Sequence, residues 1–177
     1  MQRQFSDWGG NIAAFLLVVI VNVLSNALPI NDQTMSEISA RYPSLFTPAG
    51  FTFSIWGFIY LTLFIFIIYQ ALPPQRGNQA IASISRLFQV NCVANAAWLF
   101  VWHYNLLILS LLVMFVMLVT LWLIYRSLLS EVDNAPLSQH LALHLPFSIY
   151  TGWITVATIA NFSAVQTGNG WDNVMLT

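Results

Sequence analysis

The sequence predicts an all-α integral membrane bundle of five transmembrane helices, and three observations predict it. Of its 177 residues, 58% are apolar and 6% are charged, whereas soluble domains carry about 25% charged residues. The longest charge-free run, 87–125, would be about 58 Å long as one helix at 1.5 Å per residue. A bilayer core is only about 30 Å thick, so that run has to fold back on itself. The apolar segments also lack the polar/apolar alternation of membrane barrel strands.

The first span is expected at 11–28. Arg3, the apolar stretch and Ser25-Asn26-Ala27 also fit a signal peptide. Asp7 and an apolar segment longer than the usual h-region of about 7–15 residues argue against that. The loop 29–49 contains Thr34-Met35-Ser36-Glu37, the spacing of a capping box. It predicts a short surface helix stopped by Pro43, a lid over the mouth of the bundle. A second span is expected at 50–72, ended by Pro73-Pro74, which cannot continue a helix. His103-Tyr104-Asn105 is the polar interruption of the charge-free run, dividing it into spans at 87–103 and 106–126. The fifth span is expected at 137–165, with Pro146 either marking the start of the regular helix or kinking it. The whole chain, 1–177, reads as a single transmembrane domain. Its last residues, 173–177, end on an apolar note, which leaves room for further helices beyond them.

Composition excludes several classes of function. There is no lysine, and five arginines stand against six acids for a net charge of −1. No basic patch exists for a nucleic-acid backbone, so nucleic acid is not an expected partner. Cys92 is the single cysteine, so no intrachain disulfide or paired-cysteine metal site can form. His140 and His144 share a helix face, but His103 belongs to the opposite membrane surface in this topology, so three metal ligands do not converge. No nucleophile triad or carboxylate pair occurs within the spans. With five spans, Arg3, Arg76, Arg86 and Arg126 lie on one side and Arg41 on the other. The positive-inside rule then places the N-terminus in the cytoplasm.

Three spans carry mixed aromatic and amide stripes. Phe53, Trp56, Tyr60 and Phe64 recur at spacings of three and four on the second span, which puts them on one helix face. Asn91, Asn95, Trp98 and Trp102 do so on the third, and Tyr150, Trp153, Ala157 and Asn161 on the fifth. Amides facing lipid would leave their donors and acceptors unpaired, so Asn91, Asn95 and Asn161 are expected to point into the bundle. They serve there either as bonds between helices or, with the rings, as the lining of a site for a flat aromatic or sterol-like ligand.

These stripes carry a resemblance to the TspO/MBR family, the tryptophan-rich sensory proteins and the translocator protein, or peripheral benzodiazepine receptor. The segment 46–60, with Pro48 eight residues before Trp56 and Tyr60 four after it, is similar to the start of that family's second helix. Asn95-Ala-Ala-Trp98 with Phe100 resembles the third, and Tyr150, Trp153, Ala157 and Asn161 match the fifth. Thr47 stands where the family often has proline. Ile149 fills the place of the usual proline four residues before Trp153, and Pro146 lies seven before it.

The resemblance implies a pocket inside the bundle, capped by the first loop and lined by Trp56, Asn95, Trp98, Trp153, Ala157 and Asn161, with Tyr60 beside them. It implies porphyrin or another tetrapyrrole as ligand. Arg41, the lone outward arginine, reads either as a solvated loop residue or as the partner of a propionate, and no resident cofactor is expected. A sensor or transporter is the first reading. A light-dependent porphyrin-degrading enzyme using Trp56 and Trp153 is the second, and a structural or permease-like subunit the third. A homodimer is compatible with all three. The animal cholesterol motif is not matched, because Arg126 directly abuts Tyr125, although Arg86, Phe88 and Val90 fit its reversed form.

Overall fold

The computed structural model describes residues 4–28, 30–130 and 132–171; Arg3 and the segment 173–177 lie outside them. All the regular structure among the described residues is helical. Helix α1 (Phe5–Ala27) begins six residues before the expected span. The polar residues ahead of the apolar run supply its cap, with the Gln4 backbone N–H donating to Asp7 Oδ2 at 3.0 Å. The capping box at Thr34 forms as expected and starts the short helix α2 (Met35–Ala40), which ends before Pro43.

Helix α3 (Ile55–Ala71) is preceded by a 3-10 turn, Gly50–Ser54. It stops at Leu72, which is extended as a residue before proline must be. Helix α4 (Gln79–His103) starts eight residues before the expected position, because the Asn78 side chain caps it by accepting from the Ile81 N–H at 3.3 Å. The exposed Arg86 is carried within it. Absence of charge therefore underestimates helices that extend past the apolar zone. The turn falls at the expected place. Asn105 takes φ 55°, a conformation Asn tolerates better than most residues, and α5 (Leu107–Leu129) runs back.

The last span is not one regular helix. A short turn, α6 (Leu137–Gln139), passes into a π-helical turn, His140–His144, and then into α7 (Leu145–Gly168). The Leu145 N–H reaches the carbonyl of His140. Pro146 has no N–H to continue an α ladder, and the wider turn immediately before it takes up that defect.

Five long helices result. Among the described residues, three segments, Asp7–Ala27, Gly50–Ala71 and Leu107–Leu129, are long and apolar enough to cross a membrane on length and composition. Helices α4 and α7 are as long but more polar. Helix α4 packs between α1 and α5, α5 packs on α7, and α3 closes the ring between α7 and α1. The two ends of the bundle can be told apart by their bonds. Asn78 donates to Gln139 Oε1 at 3.3 Å at one end, and Asn31 donates to the His103 carbonyl at 3.1 Å at the other. His103 therefore sits opposite the His140–His144 pair, whose rings lie 4.9 Å apart.

The end containing the α4 start is held by two kinds of contact. Phe66, Phe88 and Phe147, from α3, α4 and α7, are fully buried and meet edge to face at 5.2, 5.2 and 5.8 Å. Each such pair contributes about 0.5–1.5 kcal/mol beyond burial. Beside them the buried Asn11 donates to Gln70 Oε1 at 2.9 Å and Ser85 Oγ at 3.1 Å. It accepts from Gln89 Nε2 at 3.0 Å. This joins α1, α3 and α4 through polar groups that lipid could not satisfy.

Gly10 permits this approach, since a Cβ there would lie 2.6 Å from Gln89 Nε2. Gly10→Ala is expected to push the amide off Asn11 and destabilise the bundle by about 1–2 kcal/mol, despite alanine's better helix propensity. Equilibrium unfolding in mixed detergent checks this, and a stabilised variant would contradict it.

The first loop has a pH signature. The Thr34 backbone N–H and hydroxyl both donate to Glu37 Oε2, at 2.7 and 2.8 Å. These two bonds, with a smaller contribution from the Arg41 charge, hold the exposed Glu37 carboxyl below the usual glutamate range. A carboxyl whose folded pKa is depressed contributes its full stabilisation above the unfolded value and loses it as pH falls through the folded one. The protection of α2 amides relative to their intrinsic exchange rates is therefore expected to be flat from neutral pH down to the ordinary glutamate range and to fall below it. Glu37→Ala should remove that transition.

Candidate functional site

Pro48 and the 3-10 turn Gly50–Ser54 bring the chain down into α3 so that Trp56, in its first turn, enters the bundle and is buried. Four rings surround it. Tyr60, one turn further along α3, stacks at 5.8 Å, and Trp98 of α4 lies tilted at 6.4 Å. Tyr150 and Trp153 of α7 present edges at 6.0 and 6.3 Å. Trp102 continues the surface, stacked on Trp98 at 5.5 Å. Four indoles from three helices thus form one aromatic wall.

A cavity of about 200 Å³ lies against this wall. Phe46 and Pro48 of the first loop and Ser39 of α2 line it on the lid side, and Ala157, Ala160 and Asn161 line it on α7. The two alanines keep α7 from filling the space with side chains. Among the described residues, no acidic or basic side chain lines the cavity.

Its polar atoms are few. Trp98 Nε1 donates to Asn161 Oδ1 at 3.4 Å, and Asn161 Nδ2 donates to Ser110 Oγ at 3.0 Å. Trp153 Nε1 is buried without a hydrogen-bond partner. It is a donor available to an acceptor atom on a bound molecule, because an unpaired buried donor gains most from being satisfied.

Deeper in the bundle, Asn95 ties four helices together. Its Oδ1 accepts from Asn22 Nδ2 of α1 at 3.2 Å and from the Tyr60 hydroxyl of α3 at 3.3 Å. Its Nδ2 donates to the Tyr150 hydroxyl of α7 at 2.6 Å. On the far side of Phe53 and Trp56 a second, larger groove of about 770 Å³ opens between α1 and α3. Those two rings are the partition between the two spaces.

The family profile of TSPO-like proteins matches residues 8–177, all five long helices and the lid included. The chain belongs to the TSPO-like protein family. A search of curated proteins gave no match, and neither did a search of solved structures.

In this TSPO-like protein, seven of the stripe residues singled out from sequence line one cavity: Phe53, Trp56, Trp98, Trp102, Trp153, Ala157 and Asn161. Asn95 lies beneath it in the four-helix network, and Tyr60 lines the larger groove. Arg41 is exposed just past α2 and lines neither space. Asn91 is spent on α5, donating to the Met117 carbonyl at 3.1 Å and Thr120 Oγ1 at 2.9 Å. Phe64 is half exposed and stacks on Phe15 of α1 at 6.4 Å. Eight residues after Trp56, it has rotated by about 80° at 3.6 residues per turn.

Met114 of α5 and Ser39 of the lid also line the cavity, and sequence reasoning missed both. The signal available for Met114 was Ser110, one turn before it on α5, a polar residue that has to face inward in a membrane helix. Ser39 is placed by how α2 packs on α4.

Proposed function

We propose that this TSPO-like protein spans the membrane five times with its N-terminus in the cytoplasm. In this reading it binds a tetrapyrrole, or another flat hydrophobic ligand, in the tryptophan-lined cavity and acts as a sensor or transporter. The observation that carries this reading is the meeting of Trp56, Trp98, Trp102 and Trp153, from three helices, on a single uncharged cavity. Ring faces attract a flat π system, and a mostly apolar lining with a few placed polar groups is what ligand sites share.

The present volume of about 200 Å³ is below the roughly 300–1,000 Å³ of drug-sized sites. A macrocycle therefore needs the lid to rise. Leu45 and Phe46 are exposed in that loop, whereas Met35 and Ile38 are buried in the core and Trp102 Nε1 donates to the Met35 carbonyl at 3.4 Å, so the stretch 44–48 rises rather than α2. Carboxylate substituents on the ligand have no cation inside the cavity and extend to the rim, where Arg41 is the basic residue nearest in sequence to the lid.

Titrating protoporphyrin into the detergent-purified protein while following tryptophan emission tests the assignment. The Trp56→Leu, Trp153→Leu double variant is expected to lose at least tenfold in affinity. Unchanged affinity would reject the cavity as the site. The edge-to-face contact of Trp56 with Trp153 at 6.3 Å favours one further reading, light-dependent porphyrin breakdown by these two indoles. It predicts product only under illumination and none from either single variant.

A further inference from the structure

We propose that the groove between α1 and α3 is a second ligand site, separate from the tryptophan-lined cavity, and that it takes an uncharged glycerolipid of the monoacylglycerol type. The groove encloses about 770 Å³, within the range of small-molecule sites. It lies between the two segments Asp7–Ala27 and Gly50–Ala71, both long and apolar enough to cross a membrane. Its neighbours Val23 and Phe58 are half exposed or more, so in a bilayer the groove opens toward lipid.

The lining has two parts. Val23, Phe53 and Trp56 offer an apolar floor. At the lid end Asn26, Ser36 and Ser54 supply an amide and two hydroxyls. Among the described residues Ser54 Oγ has no hydrogen-bond partner, and Asn26 engages only its Nδ2, donating to the Asn22 carbonyl at 2.8 Å. Polar groups left open toward hydrocarbon are costly unless something bonds to them.

Among the described residues, no acidic or basic side chain lines the groove. A phosphate headgroup would therefore have no counter-charge there and would meet the Glu37 carboxylate held on the lining residue Thr34, whereas a head of hydroxyl and ester oxygens matches the amide and hydroxyls. Gly57 supplies the room. It lies in the third position of α3, where glycine is destabilising relative to alanine. Yet a Cβ built on it meets nothing within 4 Å, so packing does not demand glycine there. Its missing side chain leaves the groove floor open.

The test uses the whole chain in phosphatidylcholine nanodiscs with two probes carrying the same photoactivatable acyl chain, a monoacylglycerol and a lysophosphatidylcholine. The monoacylglycerol is expected to label 22–27 and 50–60 at least fivefold more than the charged-head probe. Gly57→Phe, or the smaller Gly57→Leu, should cut that labelling at least fivefold while protoporphyrin affinity stays within twofold. Equal labelling by both probes would mean bulk lipid contact and would overturn the proposal. So would labelling that both filled-groove variants leave unchanged while circular dichroism shows them folded. The comparison of heads on the unaltered chain decides the matter if neither variant folds.

Discussion

Trp56→Leu is expected to destabilise the bundle by about 2–4 kcal/mol and to weaken protoporphyrin binding by at least tenfold. The first number comes from truncation of a buried ring. Removing a core aromatic down to alanine costs about 3–5 kcal/mol, and leucine refills part of the space. The loss is concentrated because Trp56 touches Tyr60, Trp98, Tyr150 and Trp153 at centroid distances of 5.8–6.4 Å. Each pair is worth about 0.5–1.5 kcal/mol, and the pairs share one ring, so their sum overstates the effect.

The affinity loss follows from the same ring forming the cavity wall, with 1.4 kcal/mol per tenfold. Detergent unfolding followed by circular dichroism measures the first quantity, and the emission titration the second. Trp122→Leu is the control. That indole is exposed on α5 with Arg126 over its face at 5.0 Å, and such an exposed contact is worth about 0.5–1 kcal/mol. A Trp56 variant no worse than this control would show that the aromatic wall is not a structural hub.

The second large effect is expected at Asn95. Asn95→Ala strips partners from Asn22, Tyr60 and Tyr150 at once. Hydrogen bonds between membrane helices are worth about 0.6 kcal/mol on average and up to about 1.7. Three of them, with two buried hydroxyls left in apolar surroundings, predict a loss of about 2–4 kcal/mol. Tyr150→Phe removes one partner and should cost about 1 kcal/mol.

If the network acts as a unit, the double variant loses less than the sum of the two single losses, and a double-variant cycle reads the difference directly. Strict additivity would reject the network. Asn95→Ala should also lower ligand affinity less than Trp56→Leu does, because Asn95 lies beneath the cavity rather than on its lining.

How far the sequence reaches is clearest at three places. The turn at His103-Tyr104-Asn105 followed from arithmetic alone, because a helix of that length exceeds a bilayer. Asn105 adopts the left-handed conformation that such a turn needs. The capping box at Thr34 was equally legible, since it depends on neighbours three residues apart. The helix starts were not. Helices α1 and α4 extend six and eight residues beyond the apolar runs, held by caps and by polar contacts with other helices, and a search for absent charge cannot see those.

The π turn at His140–His144 was reduced in the sequence to a choice between a start and a kink at Pro146. Which carbonyl a displaced N–H finds depends on the surrounding packing.

By itself the sequence determined the class of the molecule, the hairpin, the lid helix and the three inward stripes, because each rests on local spacing or on the cost of charge in hydrocarbon. The tertiary structure alone decided what each inward residue does. Trp56, Trp98, Trp153, Ala157 and Asn161 line the cavity, Asn95 binds four helices together, Asn91 serves α5, and Phe64 turns back toward α1. The physical reason is that helical period identifies a face but neither the depth along it nor the neighbour it meets. In a chain whose outer surface is as apolar as its core, hydrophobic contrast cannot supply that missing coordinate, and only the packing of α3 against α1, α4 and α7 does.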